Sequence, residues 1–301
     1  MKPIPFGFRQ IAQLLAVAET GSTAAAARAL NVSQPTVSQA VARFEAHFGQ
    51  PLFLRLPGMG MQPTPFGRQK IDALAAVMAH GRAVMATSDP AGWELVLGVF
   101  STLGPRYAPR IVRAFRQRYA QAQVQLVEGD LQEMVQGLRR GRLDLALIYD
   151  VGLPDDLTLH PLESVLPHAL VADGHPLAGQ GPVSLKLLAE QPLILISLPH
   201  SRDYFLSLFR HVGCRPRIAA ETGSIEMLRA MVGNGMGVGL LATDLPYDRT
   251  YDGSRVVRLT LAETVPPSRV ALARQAALMP NPAARALLEL VPDAIAGRAP
   301  P

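Results

Sequence analysis

The stretch "ARALNVSQPTVSQAVARFEAHFG", Ala27 to Gly49, leaves the chain little choice of local structure. It spells two helices with almost nothing between them. Asn31 and Val32 form the turn, and Ser33 supplies an N-cap oxygen. Pro35 falls in the first turn of the second helix, where a missing N–H costs little. Apolar residues then recur at Val37, Val41, Phe44 and Phe48, one stripe of a helix that Gly49 ends. Opposite that stripe lie Pro35, Gln39 and Ala42, with Ser38 beside them. Gln34 and Thr36 project near the helix start, and Arg43 lies on a flank. An ordinary amphipathic helix with a solvated face would explain the stripe. Short hydrogen-bonding side chains with no acidic residue before Glu45 suit the major groove of DNA, where Gln bonds adenine bidentately. A helix N-terminus also favours a phosphate neighbour.

The flanking residues favour the groove. Phe8, Ile11, Leu14, Leu15 and Ala18 predict a helix over 6–20, stopped by Gly21, with Ser22 or Thr23 capping the next. Thr23 to Leu30 is short and alanine-rich, so another helix can approach closely. After Gly49, "QPLFLRLPGMGMQPT" reads as a short strand at Leu52–Leu54, a Pro/Gly turn and a return: a wing. Thr64 and Pro65 start a long helix to about Thr87. On it Ile71, Leu74 and Met78 are spaced for pairing with a second copy; folding back on its own domain is the alternative. Thr87 to Trp93 is a hinge. Residues 1–90 carry eight Lys and Arg against four Asp and Glu, whereas the remainder carries 21 against 20. The basic excess therefore sits at the head, as contact with phosphates requires.

Beyond the hinge, strands and helices alternate. Strands at 93–100, 122–128 and 143–149 enclose helices at 105–119 and 130–140. A second set follows, with strands in "HALVAD", "PLILIS", "RIAAE" and "MGVGLL" and helices over 201–213 and 224–233. The β-α-β-α-β rhythm of the first set implies a parallel sheet with right-handed crossovers. Strands in "RVVRLTL" and "SRVALAR" and a helix over 282–290 end the chain, the last stretch returning to the first sheet. Ligands of open α/β sheets bind beyond the carboxyl ends of strands. "VFSTLGP" places Ser101 and Thr102 there in one lobe, and "ILISLPHSRDYF" places Ser197, Pro199, His200, Ser201 and Arg202 there in the other. Gly129, Gly237 and Val238 are further candidates. Simple helix capping by Ser101 and Ser197, and a surface role for Arg202, are the plain alternatives.

No apolar run approaches the roughly 20 residues of a membrane span, and no signal-peptide core forms near the start, so a cytoplasmic protein is expected. The single cysteine, Cys214, excludes an internal disulfide and a cysteine-based zinc site. "GNGMGVG" over 233–239 lacks the dinucleotide spacing and precedes a strand where the fingerprint follows one. There is no P-loop, no H-E-x-x-H and no G-x-S-x-G, hence no catalytic constellation and no expected cofactor or metal.

Through "AETGSTAAAARALNVSQPTVSQAVARFEAHFGQPLFLR", the long helix and the two-lobed remainder, the chain resembles the LysR-type transcriptional regulators over its whole length. The resemblance implies an α+β multidomain protein with three parts. A winged helix-turn-helix spans 1–63, a linker and dimerisation helix with hinge 64–90, and a two-lobed, periplasmic-binding-protein-like effector domain 91–301. Lobe I is about 91–162 and 267–301, lobe II about 163–266. It implies DNA contacts by Ser33, Gln34, Pro35, Thr36, Ser38, Gln39, Arg43 and Arg55. Gln39 stands where many members carry Arg, and the wing lacks a further basic residue found in many. It implies dimers through the helix 64–87, tetramers through the effector domains, double-stranded operator DNA and RNA polymerase as partners, and no membrane. Hydroxyl-rich lining with one arginine points to a small organic acid as effector. The rival expectation is a solute-sensing binding protein whose helical N-terminus serves only oligomerisation.

Overall fold

The computed structural model describes residues 5–56, 60–85, 89–243 and 245–296. The wing tip at 57–59, the expected helix end and hinge start at 86–88, and the tail at 297–301 lie outside the described residues. In the head, α1 (Phe8–Thr20), α2 (Thr23–Ala29) and α3 (Gln34–Phe48) pack around buried Leu14, Val17, Ala26, Val37, Val41 and Phe44. Alanines on α2 let its neighbours close in. Gly21 and Gly49 end α1 and α3 in the left-handed region, at φ 66° and 67°. The wing is the antiparallel pair β1 (Phe53–Leu56) and β2 (Gly60–Pro63), in register Phe53 with Pro63. Glu45 fastens it to α3 by accepting the backbone N–H groups of Leu52 and Phe53, at 2.8 and 3.2 Å.

The linker helix α4 (Pro65–Met85) starts where Thr64 accepts the Gly67 N–H at 2.8 Å. Its pairing stripe is not where the spacing placed it. Ile71 is buried in the head's core, and Leu74 and Met78 pack against that core. The reason is geometric: the stripe faces α1, the nearest apolar surface in the same chain. Val77, Val84 and Met85 are exposed instead.

A 3-10 turn at Pro90–Gly92 leads into the effector domain. There β3 (Glu94–Phe100), α5 (Gly104–Arg118), β4 (Gln123–Gly129), α6 (Leu131–Arg139), β5 (Leu145–Tyr149) and β6 (Leu157–Val165) alternate. The chain then crosses into β7 (His168–Ala172), α7 (Leu185–Ala189), β8 (Pro192–Ile196), α8 (Ser201–His211), β9 (Arg217–Thr222), α9 (Ile225–Gly233), β10 (Val238–Leu241) and β11 (Val256–Thr260). It returns through β12 (Ser268–Gln275) and closes with α10 (Pro282–Ala296). Two five-stranded sheets result, ordered β4-β3-β5-β12-β6 and β11-β7-β10-β8-β9. In the first, β3 runs parallel to β4 and β5, while β12 runs antiparallel to β5 and β6. The final strand does complete the first sheet. Strand β6 and helix α7 were not legible in the sequence. Among the described residues, no helix is long and apolar enough to cross a membrane.

Candidate DNA-reading face and effector cleft

The start of α3 is held from both sides. Ser33 caps it by accepting the Thr36 N–H at 3.4 Å, and the two hydroxyls lie 2.7 Å apart. Gln34 donates to the Thr23 hydroxyl at 3.4 Å, so the N-termini of α2 and α3 lie together. Val37, Ala40, Val41 and Phe44 are buried, and the Phe6 ring stacks on Phe44 at 3.9 Å. Ser33, Gln34, Pro35, Thr36, Gln39 and Arg43 are exposed and Ser38 is half-buried. The seven named residues of α3 and its cap therefore form one outward face. Arg55 is exposed on β1, opposite Met61. Arg68 is exposed and donates to the Pro63 carbonyl at 2.9 Å.

The second site lies between the lobes. Thr102, Pro199, His200 and Ser201 line a cleft of about 540 Å³, counting its open mouth. The structure does not bring the remaining candidates to that lining. Ser101 and Ser197 tie strand ends together, donating their backbone N–H groups to Gly129 at 3.0 Å and Thr222 at 2.9 Å. Gly129 ends β4, paired with Phe100, and is not part of the lining. Arg202 is clasped by Glu221, with Nη2 at 3.1 Å and Nε at 3.2 Å from Oε1. Gly237 and Val238 sit where β10 begins, against Pro192 and Leu193, whereas the cleft is reached at the far end through Leu241, Ala242 and Thr243.

Sequence reasoning missed most of the lining, including Leu131, Tyr149, Tyr204, Thr243 and Ser268. Tyr149 ends β5 and Thr243 follows β10, so the rule of strand carboxyl ends would have found both. Their hydroxyls are hydrogen-bonded to each other, a bond from lobe I to lobe II. Burial pushes the Tyr149 phenol up, and Tyr204 likewise, so both stay protonated at neutral pH. The Thr102 hydroxyl lies beside the Tyr149 phenol but has no partner in good hydrogen-bond geometry. His200 holds a positive φ of 65°, rare for a residue with a side chain.

These two sites, on one chain, match known family models in the same order. Residues 8–68 match the bacterial regulatory helix-turn-helix protein of the lysR family, and residues 88–296 match the LysR substrate binding domain. The chain belongs to the LysR family of transcriptional regulators. It is a DNA-binding regulator with a substrate-binding effector domain, and the matches do not favour a solute-sensing protein with a merely oligomerising head. A probable hydrogen peroxide-inducible genes activator of Streptomyces viridosporus is 31% identical over 273 residues, 88% of this chain and 86% of that one. The crystal structure of HinK, a LysR family regulator from Pseudomonas aeruginosa, is 35% identical with a TM-score of 0.65, covering 96% of this chain and 98% of that one. The effector binding domain of QuiR, in complex with shikimate, shares the fold at 21% identity and a TM-score of 0.59, over 66% of this chain and 94% of that one.

Proposed function

We propose that the chain reads an operator through Ser33, Gln34, Pro35, Thr36, Ser38, Gln39 and Arg43, with Arg55 of the wing supplying a phosphate contact. The observation that carries this is the outward face of α3, free of acidic groups and backed by a buried apolar stripe. It acts in the cytoplasm as a non-enzymatic regulator, with RNA polymerase downstream. Two heads on one duplex are needed, because one recognition helix makes few contacts; successive major grooves lie about 34–36 Å apart. Dimerisation through α4 uses the stripe left free, Val77 and Val84 at i and i+7. Tetramers form through the effector domains. A small molecule in the cleft between the lobes shifts the balance between two assembly shapes by binding one better than the other. The shikimate held by the related QuiR domain supports a small-molecule site in this fold.

The test is a gel shift on promoter duplexes across a salt series, with footprinting of wild type and Gln34→Ala. The expected result is salt-dependent binding. Gln34→Ala should lose about 1–3 kcal/mol at one base step, with preference relaxed there alone. Footprints of unchanged preference and affinity reject the role of Gln34. Failure to bind any duplex at low salt rejects the reading of α3.

A further inference from the structure

Helix N-termini around a cleft are the usual means of holding an anion without a lysine or arginine. Here four helices start at the cavity: α5 just after Thr102, and α6, α8 and α9 with the lining residues Leu131, Ser201 and Ile225. Two of these starts, those of α6 and α9, are capped by side chains of the chain itself. Asp130 caps α6, accepting the Glu133 N–H at 2.8 Å, and the Glu133 carboxylate returns to the Asp130 N–H at 2.9 Å. Helix α8 carries Asp203 in its first turn. Ser224 caps α9 by accepting the Met227 N–H at 3.3 Å, and Glu226 stands in that first turn. On α5, Pro105 has no N–H, and those of Arg106 and Tyr107 go to the Leu103 carbonyl at 3.2 and 3.1 Å.

Charged side chains give the same answer. Among the described residues the lining holds no Lys, Arg, Asp or Glu. Arg202 is committed to Glu221. Arg106 is near enough to influence the Tyr149 phenol, but it lies outside the lining, against the Tyr107 ring, and is not a free cation. His200 lies exposed at the rim. Much of the lining is apolar, including Phe100, Leu131, Ile196, Phe205 and Leu241, with the Phe100 and Tyr149 rings edge to face at 5.7 Å. A carboxylate or ammonium entering this space would shed its water with no opposite charge in the lining to replace it. The polar groups of the lining are uncharged hydroxyls: those of Ser201, Tyr204 and Ser268, and the Tyr149–Thr243 pair with the Thr102 hydroxyl beside it, where the two lobes meet.

We propose that the effector is an uncharged, ring-sized, mainly apolar molecule. A single hydroxyl or carbonyl on it engages Thr102, Tyr149 and Thr243, where the two lobes already meet. This rests on the reading of the cleft as the effector site, and it replaces the organic acid that Arg202 had suggested.

Three probes with one ring and different charge test it: benzyl alcohol, benzoate and benzylamine, each at the same millimolar concentration with the full chain. Benzyl alcohol should raise the melting temperature by about 2–4 °C, and the two ions by less than a third of that. Thr243→Val should remove most of the alcohol's shift. The proposal is overturned if benzoate or benzylamine gives the larger shift, if none of the three gives any, or if Thr243→Val leaves the shift intact. Ala242→Phe fills the cavity, and Val151→Phe at the rim serves if that variant does not fold. Stabilisation by an ion that these blocks abolish keeps the cleft as the site and rejects the uncharged ligand. Stabilisation by any probe that survives both blocks rejects the cleft itself.

Discussion

Arg229 is the residue whose charge the fold can least spare. Its side chain is 4% exposed on α9, yet it carries a full positive charge. Nη2 donates to the carbonyls of Tyr247 at 2.7 Å and Arg249 at 2.8 Å, and Nε stands 3.3 Å from the Glu226 carboxylate. The guanidinium thus fixes the segment that leads into β11. Replacing it with methionine keeps the volume but orphans two carbonyls and a carboxylate. Breaking such a buried arrangement costs about 3 kcal/mol. A urea titration of Arg229→Met should show that loss as a lowered midpoint with the slope unchanged. A loss below about 1 kcal/mol would mean that water replaces the guanidinium and the segment is not fixed by it.

At the scale of elements, the linker helix is coupled to the effector domain in the same chain. The turn after α6 sits on α4: Arg140 Nε is 2.6 Å from Asp72, and Arg82 donates to the Gly141 carbonyl at 2.9 Å. Gly141 has φ +61°, and a Cβ there would lie 2.2 Å from the Ala79 Cβ. Gly253 provides the control, with φ +86° and open space around it. Alanine at either position carries the backbone strain of a left-handed residue. Alanine at 141 must also push α4 away, which should add about 1–3 kcal/mol of destabilisation in the full chain. Equal losses at the two positions, read by denaturant unfolding, would show that α4 is not held by this turn. Helix α6 begins at the cavity with Leu131 and ends, at Arg139, next to this contact.

For the molecule as a whole, the kinship with a peroxide-inducible activator raises the question of what is sensed. The chain has one cysteine, so no disulfide can form within it. Cys214 donates to the Phe209 carbonyl at 3.5 Å, and burial pushes its thiol up, which leaves little thiolate to react at neutral pH. Operator binding should therefore be unchanged by peroxide at concentrations that oxidise free thiols, and Cys214→Ser should respond to the effector like the wild type. A peroxide-dependent change in the footprint that Cys214→Ser abolishes would sink this expectation.

The sequence by itself determined what is local: the caps at Ser33 and Thr64, the apolar stripes, the alternation of strands and helices, and the turn that presents the start of α3. Each is written in residues a few positions apart, where helix and strand periods govern. It left β6 unread because its residues are mostly half-buried and Pro161 interrupts them, so no clean alternation shows. Five-residue α7 is too short to show a period. Only the tertiary structure decided which partner each face would meet. Ile71, Leu74 and Met78 go to α1, Arg202 goes to Glu221, and Tyr149 meets Thr243 across 94 positions. The physical reason is that a side chain's spacing names its face, while the surface or charge opposite that face comes from segments far away in the chain.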